Sequence, residues 1–252
     1  MIPAVDQMSD WAESALLLSL RLGPVLSFAP PFTLMRIPAP LRLLLALGLS
    51  GLIVQSAPAA QVADQGLIVA AIRELLLGAV LVLAFQAAYG ALYVAGRTVD
   101  IQAGFGLAAL VDPTSRAQTP LVGTLYAYAA GVIFFAMGGH HDLLRVLAAS
   151  LEAVPLGQGG APQSLGPLSA YLGAVFTLAF GVAGGVILAL MLADAAIAIL
   201  ARTAPQLNVL VLGFQVKTVL LLVALPLTLG VASALMARLS AVTLEALPAL
   251  IA

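Results

Sequence analysis

Few residues in this chain could do chemistry. The adjacent Arg73-Glu74, Asp100, Asp194, Arg202 and Lys217 stand in or beside long runs of leucine, valine and alanine. A charge at the centre of such a run costs about 2.5–3.5 kcal/mol when the run spans a bilayer. The chemistry these residues suggest is therefore ion passage, proton relay or contact with a partner. Against this, long basic side chains reach the interface and acids cap helix ends. For Lys217, a little inside its run, the two readings balance; for Arg73-Glu74, close to a segment's start, the second is stronger. His140-His141-Asp142 has the residue types of a metal site. Adjacent helical side chains diverge by about 100°, however, and neither an HExxH pattern nor a second histidine cluster accompanies them. The better reading is an interfacial helix start with Asp142 near its N-terminus, and neither metal nor cofactor is expected. A P-loop lysine motif, a nucleophile elbow and paired carboxylates within one segment are all missing, so the chain does not read as an enzyme.

The elements that must position these groups follow from composition. Apolar residues make up 62% of the 252 and charged residues 8%, against roughly 25% charged in a soluble domain. The mean hydropathy is +1.13. So few charges could not cover a soluble surface of this size, and the chain reads as an integral membrane protein. A net charge of -1 gives no footing for nucleic acid, and without cysteine there is no disulfide or thiolate metal site. Asp6, Asp10 and Glu13 precede the first apolar run, where a cleavable signal peptide would be basic.

At roughly 20 apolar residues per crossing, the sequence predicts an all-α, polytopic membrane protein of about six long apolar helices in one domain over 1–252. They are Ser14–Leu34, interrupted by Arg21 and Gly23-Pro24 and breaking at Ala29-Pro30-Pro31; Leu41–Ala57, after a connector with Arg36 and Arg42; and a third from Gly66, free of charge from Leu75 to Gly96. Leu121–Met137, Leu168–Leu192 and Val209–Met236 complete the set. Pro58–Asp64 and Pro155–Pro167 read as loops, and Asp142–Val154 as a shorter amphipathic helix. Asp194–Asn208 reads as a polar connecting turn. Gly181-x-x-x-Gly185 would permit close helix packing. Basic residues are spread over connectors on both sides, so their count favours neither orientation.

Between the third and fourth segments lies a stretch unlike either. Gly104, Phe105, Gly106, Leu107, Leu110 and Val111 make a glycine-rich apolar patch that breaks at Asp112-Pro113 into a polar turn, and Pro120 opens the next run. Proline fixes its own φ and moves the preceding residue out of the helical region. Irregular backbone of this kind is tolerated at membrane depth only where protein buries it or it lines a cavity.

The stretch Gln102-Ala-Gly-Phe-Gly-Leu-Ala-Ala-Leu-Val-Asp-Pro113 resembles the signature of the FliR family of flagellar export-gate proteins. Three further blocks agree in order: Ile37-Pro38 with Arg42; Gly139-His140 through Ser150 to Pro155-Leu156-Gly157; and Arg202-x-x-Pro205-Gln206-x-Asn208-Val209, continuing to Gly213-Phe214 and Lys217. Injectisome relatives tend to read Ser-Met-Pro before the lysine, where this chain has Gly-Phe-Gln-Val, so the resemblance favours the flagellar branch. Ala103 stands where the family usually has methionine, and Leu107 and Leu110 where relatives often carry phenylalanine.

The resemblance implies a single copy joined to several FliP and FliQ subunits in a helical export gate, in the inner membrane at the flagellar basal body. FlhB lies beside it, and unfolded flagellar proteins pass through. It also implies tilted hairpins largely raised above the membrane plane, and a plug formed by 104–120 that closes the conduit. Arg202, Pro205, Gln206, Asn208 and Lys217 are then expected to contact neighbouring subunits. The competing class is a small-molecule secondary transporter with broken helices and midplane charges; it predicts an inverted repeat and a self-sufficient chain. The sequence contains no evident repeat, and its charges do not cluster.

Overall fold

The structure is a computed structural model that describes residues 3–35, 37–55, 66–105, 120–158, 166–204, 206 and 208–251. Among them all regular structure is helical: α1 (Pro3–Phe28), α2 (Pro30–Leu34), α3 (Ala39–Val54), α4 (Leu67–Ala103), α5 (Leu121–Ala136), α6 (Gly139–Ala153), α7 (Gly166–Thr203) and α8 (Val209–Ile251). The Pro58–Asp64 loop, the plug residues Gly106, Leu107, Leu110, Val111, Asp112 and Pro113, and Pro205 lie outside the described residues.

Punctuation follows the proline and glycine chemistry. Ala29 is extended (φ −68°, ψ 132°) and Pro30 opens α2, as proline requires of the residue before it. Gly138 has φ +77° and separates α5 from α6, a conformation that costs glycine little. Three expectations about helix length are corrected. The third helix does not stop at Gly96 but runs to Ala103, because neither glycine nor proline interrupts residues 97–103 before Gly104. Asp194–Thr203 is helical, not a connecting turn: alanine, isoleucine and leucine fill 195–201, and Asp194 finds partners instead of ending the helix. The last helix continues past Met236 to Ile251.

Four windows among the described residues are long and apolar enough to cross a membrane: Leu67–Ala103, Gly166–Thr203, Leu210–Gly230 and Ala232–Leu250. The bent α5–α6 pair makes a fifth if it counts as one span. Helix α3, at 16 residues, is shorter.

The chain divides into two compact units, residues 1–87 with 134–173 and 240–252, and residues 88–133 with 174–239. In the first, Leu17, Leu18, Leu22, Leu77, Leu81, Leu143 and Leu147 are buried, as are Phe85 and Phe134. Phe134 meets Phe32, Phe85 and Phe135 edge to face, with centroids 5.3–6.4 Å apart, the arrangement that aromatic quadrupoles favour. Tyr171 donates its hydroxyl to the carbonyl of Ala84 at 2.6 Å. In the second unit, α4 and α5 approach at Gly96 and Gly123, and Val175, Ala179, Val182, Val186 and Leu190 of α7 are buried. A Cβ on Gly181 or Gly185 would meet Leu235 or Thr228 of α8 at 3.5 and 3.4 Å. That is ordinary contact, so this glycine pair faces α8 without being sterically required.

Candidate functional site

The polar residues gather at three places. In the first unit Arg21 and Glu74 are both completely buried. The guanidinium grips the carboxylate with two bonds: Nε donates to Oε2 at 2.6 Å and Nη2 to Oε1 at 3.0 Å. Nη1 donates to the Ser150 hydroxyl at 2.9 Å, Nη2 also to the Val154 carbonyl at 3.0 Å, and the Gly157 amide donates to Glu74 Oε1 at 2.8 Å. A buried ion pair is tolerable only when its remaining donors and acceptors are satisfied in this way. One node therefore ties α1, α4, the end of α6 and the turn at 154–158. Its place close to a segment's start favours helix-end capping for Glu74, and the fold corrects this: Glu74 lies inside α4 and pairs with Arg21. The missed signal was one unlike charge in each of two apolar segments.

The second place is the base of the 104–120 stretch. Helix α4 ends in a Schellman turn: Gly104, at φ +93°, donates its amide to the Ile101 carbonyl and Phe105 donates its amide to Asp100, both at 3.0 Å. Gly104 is thus the residue that stops the helix. The Phe105 ring packs edge to face on Phe214 with centroids 6.3 Å apart. Lys217 Nζ bonds to the Gln102 carbonyl at 3.1 Å and pairs with the Asp194 carboxylate, which also accepts from Gln102 Nε2 at 2.7 Å. The Lys217 side chain is 18% exposed. At the other end, the Asp100 carboxylate accepts the Val122 amide at 3.1 and 3.2 Å. The fold therefore brings Asp194 and Lys217 onto Gln102 and Asp100 onto Phe105, although these charges stand far apart in the sequence.

The third place is the corner before α8. Asn208 caps that helix, its Oδ1 accepting the Val211 amide at 3.3 Å. Arg202 and Gln206 are exposed. Elsewhere the His140 and His141 rings touch at a tilt of 41°, with centroids 4.0 Å apart. Among the described residues no three histidines, cysteines or carboxylates come together as metal ligands would.

Long apolar helices whose interior charges find partners inside the protein define a polytopic, all-α integral membrane protein. The chain belongs to the bacterial export proteins, family 1, the FliR family, whose model matches residues 12–242. It is 30% identical over 193 residues to the flagellar biosynthetic protein FliR of Bacillus subtilis, covering 75% of this chain and 74% of that one. With the flagellar biosynthetic protein FliR of Escherichia coli it shares 28% over 239 residues, 93% of this chain and 87% of the other. The secretion system apparatus protein SsaT of Salmonella typhimurium is 30% identical over 139 residues, 54% of each chain.

Proposed function

We propose that the chain is a non-enzymatic subunit of the flagellar type III protein export gate. In this reading it joins FliP-type and FliQ-type subunits in the bacterial inner membrane at the flagellar basal body. An FlhB-type protein lies beside it, and unfolded flagellar proteins pass through the shared conduit. Residues 104–120 supply a plug in which Leu107, Leu110 and Val111 exclude water and ions from the closed pore. Asp112-Pro113 fixes its turn.

The family match over residues 12–242 carries the reading. The flagellar branch is supported by two FliR relatives that align with 75% and 93% of the chain; a third FliR, of Pectobacterium carotovorum, aligns with 58% and SsaT with 54%. The plug is supported by the base beneath it, where bonded groups hold the residues on either side of an apolar stretch that could not lie against lipid. Exposure of Arg202 and Gln206 supports their assignment to subunit contacts. Asn208 and Lys217, bonded within the chain, would hold that corner and the plug's base in shape.

Two measurements test this. The tagged protein, expressed with its native partners, should co-purify with FliP-type and FliQ-type proteins as one large particle; a clean monomer or homo-oligomer would favour the transporter. Replacing Gly104–Leu110 by flexible polar residues should make the assembled gate leak ions, and unchanged ion permeability would sink the plug.

A further inference from the structure

An open groove of about 600 Å³ runs between α1 and α3 and reaches Leu75 of α4. One end lies at Ser27 and Arg42, where α1 finishes and α3 begins, and Leu20 and Leu47 carry it down the hairpin. Gly23 is its floor. The residue is buried, yet a Cβ there would meet nothing within 4 Å, so no described side chain fills the space above it. A groove of this size, apolar with one charged group at its rim, has the make-up of a site for a small amphiphile.

The rim charge is uncompensated. Two backbone carbonyls hold the Arg42 guanidinium at that end: Nε donates to Ile37 at 2.8 Å and Nη1 to Ser27. Both acceptors are neutral, and among the described residues no carboxylate pairs with it. At the opposite end of the antiparallel hairpin the Trp11 indole donates to the Gly51 carbonyl at 3.3 Å, with Asp10 and Glu13 exposed nearby. A half-exposed tryptophan with its polar tip bonded suits a membrane–water interface. Between Trp11 and Ser27, 16 residues of α1 rise about 24 Å, close to the ~30 Å of a bilayer's hydrocarbon core. The acidic and basic ends of the hairpin therefore match the two interfaces. The groove descends from the basic one, where lipid phosphates lie, to the depth of the acyl chains.

We propose that this groove binds one anionic phospholipid, its phosphate on Arg42 and one acyl chain over Gly23 towards Leu20 and Leu47. An anionic headgroup supplies the counter-charge that Arg42 lacks within the chain. An apolar helix of a partner would instead bury the guanidinium unpaired, which is unfavourable.

The test titrates the detergent-purified chain with phosphatidylglycerol or phosphatidylcholine and counts bound lipid by native mass spectrometry. Wild type should take up one phosphatidylglycerol about fivefold more tightly than phosphatidylcholine, the preference that one basic residue at an anionic surface gives. Arg42→Gln should erase that preference, and Arg42→Lys should keep most of it. Gly23→Leu and Ala39→Leu fill the groove from its two helices and should abolish uptake of both lipids in a chain that unfolds at the wild-type temperature. Equal affinity of wild type for the two lipids would overturn the inference, as would unchanged uptake by a folded groove-filling variant. Loss of the lipid from the chain purified with its native partners would also overturn it, and would give the groove to a partner helix.

Discussion

Arg21 and Glu74 neutralise each other where neither could stand alone. Removing one leaves an uncompensated buried charge, which costs about 3–5 kcal/mol, whereas replacing both by apolar residues of similar volume is often close to neutral. Glu74→Ala should therefore lower the thermal unfolding temperature in detergent far more than the double variant Arg21→Met/Glu74→Leu. Part of the loss would persist in the double variant, because the Gly157 amide and the Val154 carbonyl lose their partners too. Equal unfolding temperatures for Glu74→Ala and wild type would show that the node contributes nothing. Each half of this pair stood in the sequence as a charge in an apolar run. Their pairing did not, because 53 residues separate them and Ser150 and Gly157 come from elsewhere in the chain.

At the scale of elements, helix contacts are set by a few glycines that nothing larger could replace. Gly78 lets α4 lie against α1 where Pro24 interrupts it: a Cβ there would meet the Arg21 carbonyl oxygen at 2.7 Å and that of Leu20 at 3.0 Å. Proline at 24 has no amide to give the Leu20 carbonyl. Gly123 has a similar constraint against α4, since the atom in the way is backbone and cannot swing aside. Gly123→Ala should destabilise the chain by about 1–3 kcal/mol, as overpacking does. Gly90→Ala, which meets nothing within 4 Å, should be neutral or stabilise by up to about 1 kcal/mol through helix propensity. Both are read by thermal unfolding in detergent, and equal effects would remove the α4–α5 contact as a determinant of the fold. The sequence singled out Gly181 and Gly185 by their spacing, yet spacing alone does not tell which glycine lies opposite backbone.

At the scale of the molecule, much apolar surface has no cover among the described residues. Only 6% of the most apolar stretch within Leu210–Gly230 is buried, and Leu43, Leu44 and Leu52 of α3 are exposed. For a gate subunit, partner helices should cover part of this. The chain lacks cysteine, so single-cysteine variants give a clean readout. Leu222→Cys should react with a membrane-soluble maleimide in the isolated chain and be protected in the co-purified complex. Equal labelling in both would assign that face to lipid.

The sequence by itself determined the class, because hydropathy and helix periodicity are local quantities. So few charges among so many apolar residues leave no soluble solution, and proline and glycine mark the breaks at Ala29 and Gly138. Four ordered motif blocks were enough to point to the family. Only the tertiary structure decided which charges meet. Asp194 read as the edge of a turn and Asp100 as an isolated acid. Folding placed one beside Lys217 inside a continuous helix and set the other against the first amides of α5. The physical reason is that a charge in an apolar segment is stable only through its partner, and the partner lies on another helix, at a distance the local sequence does not encode.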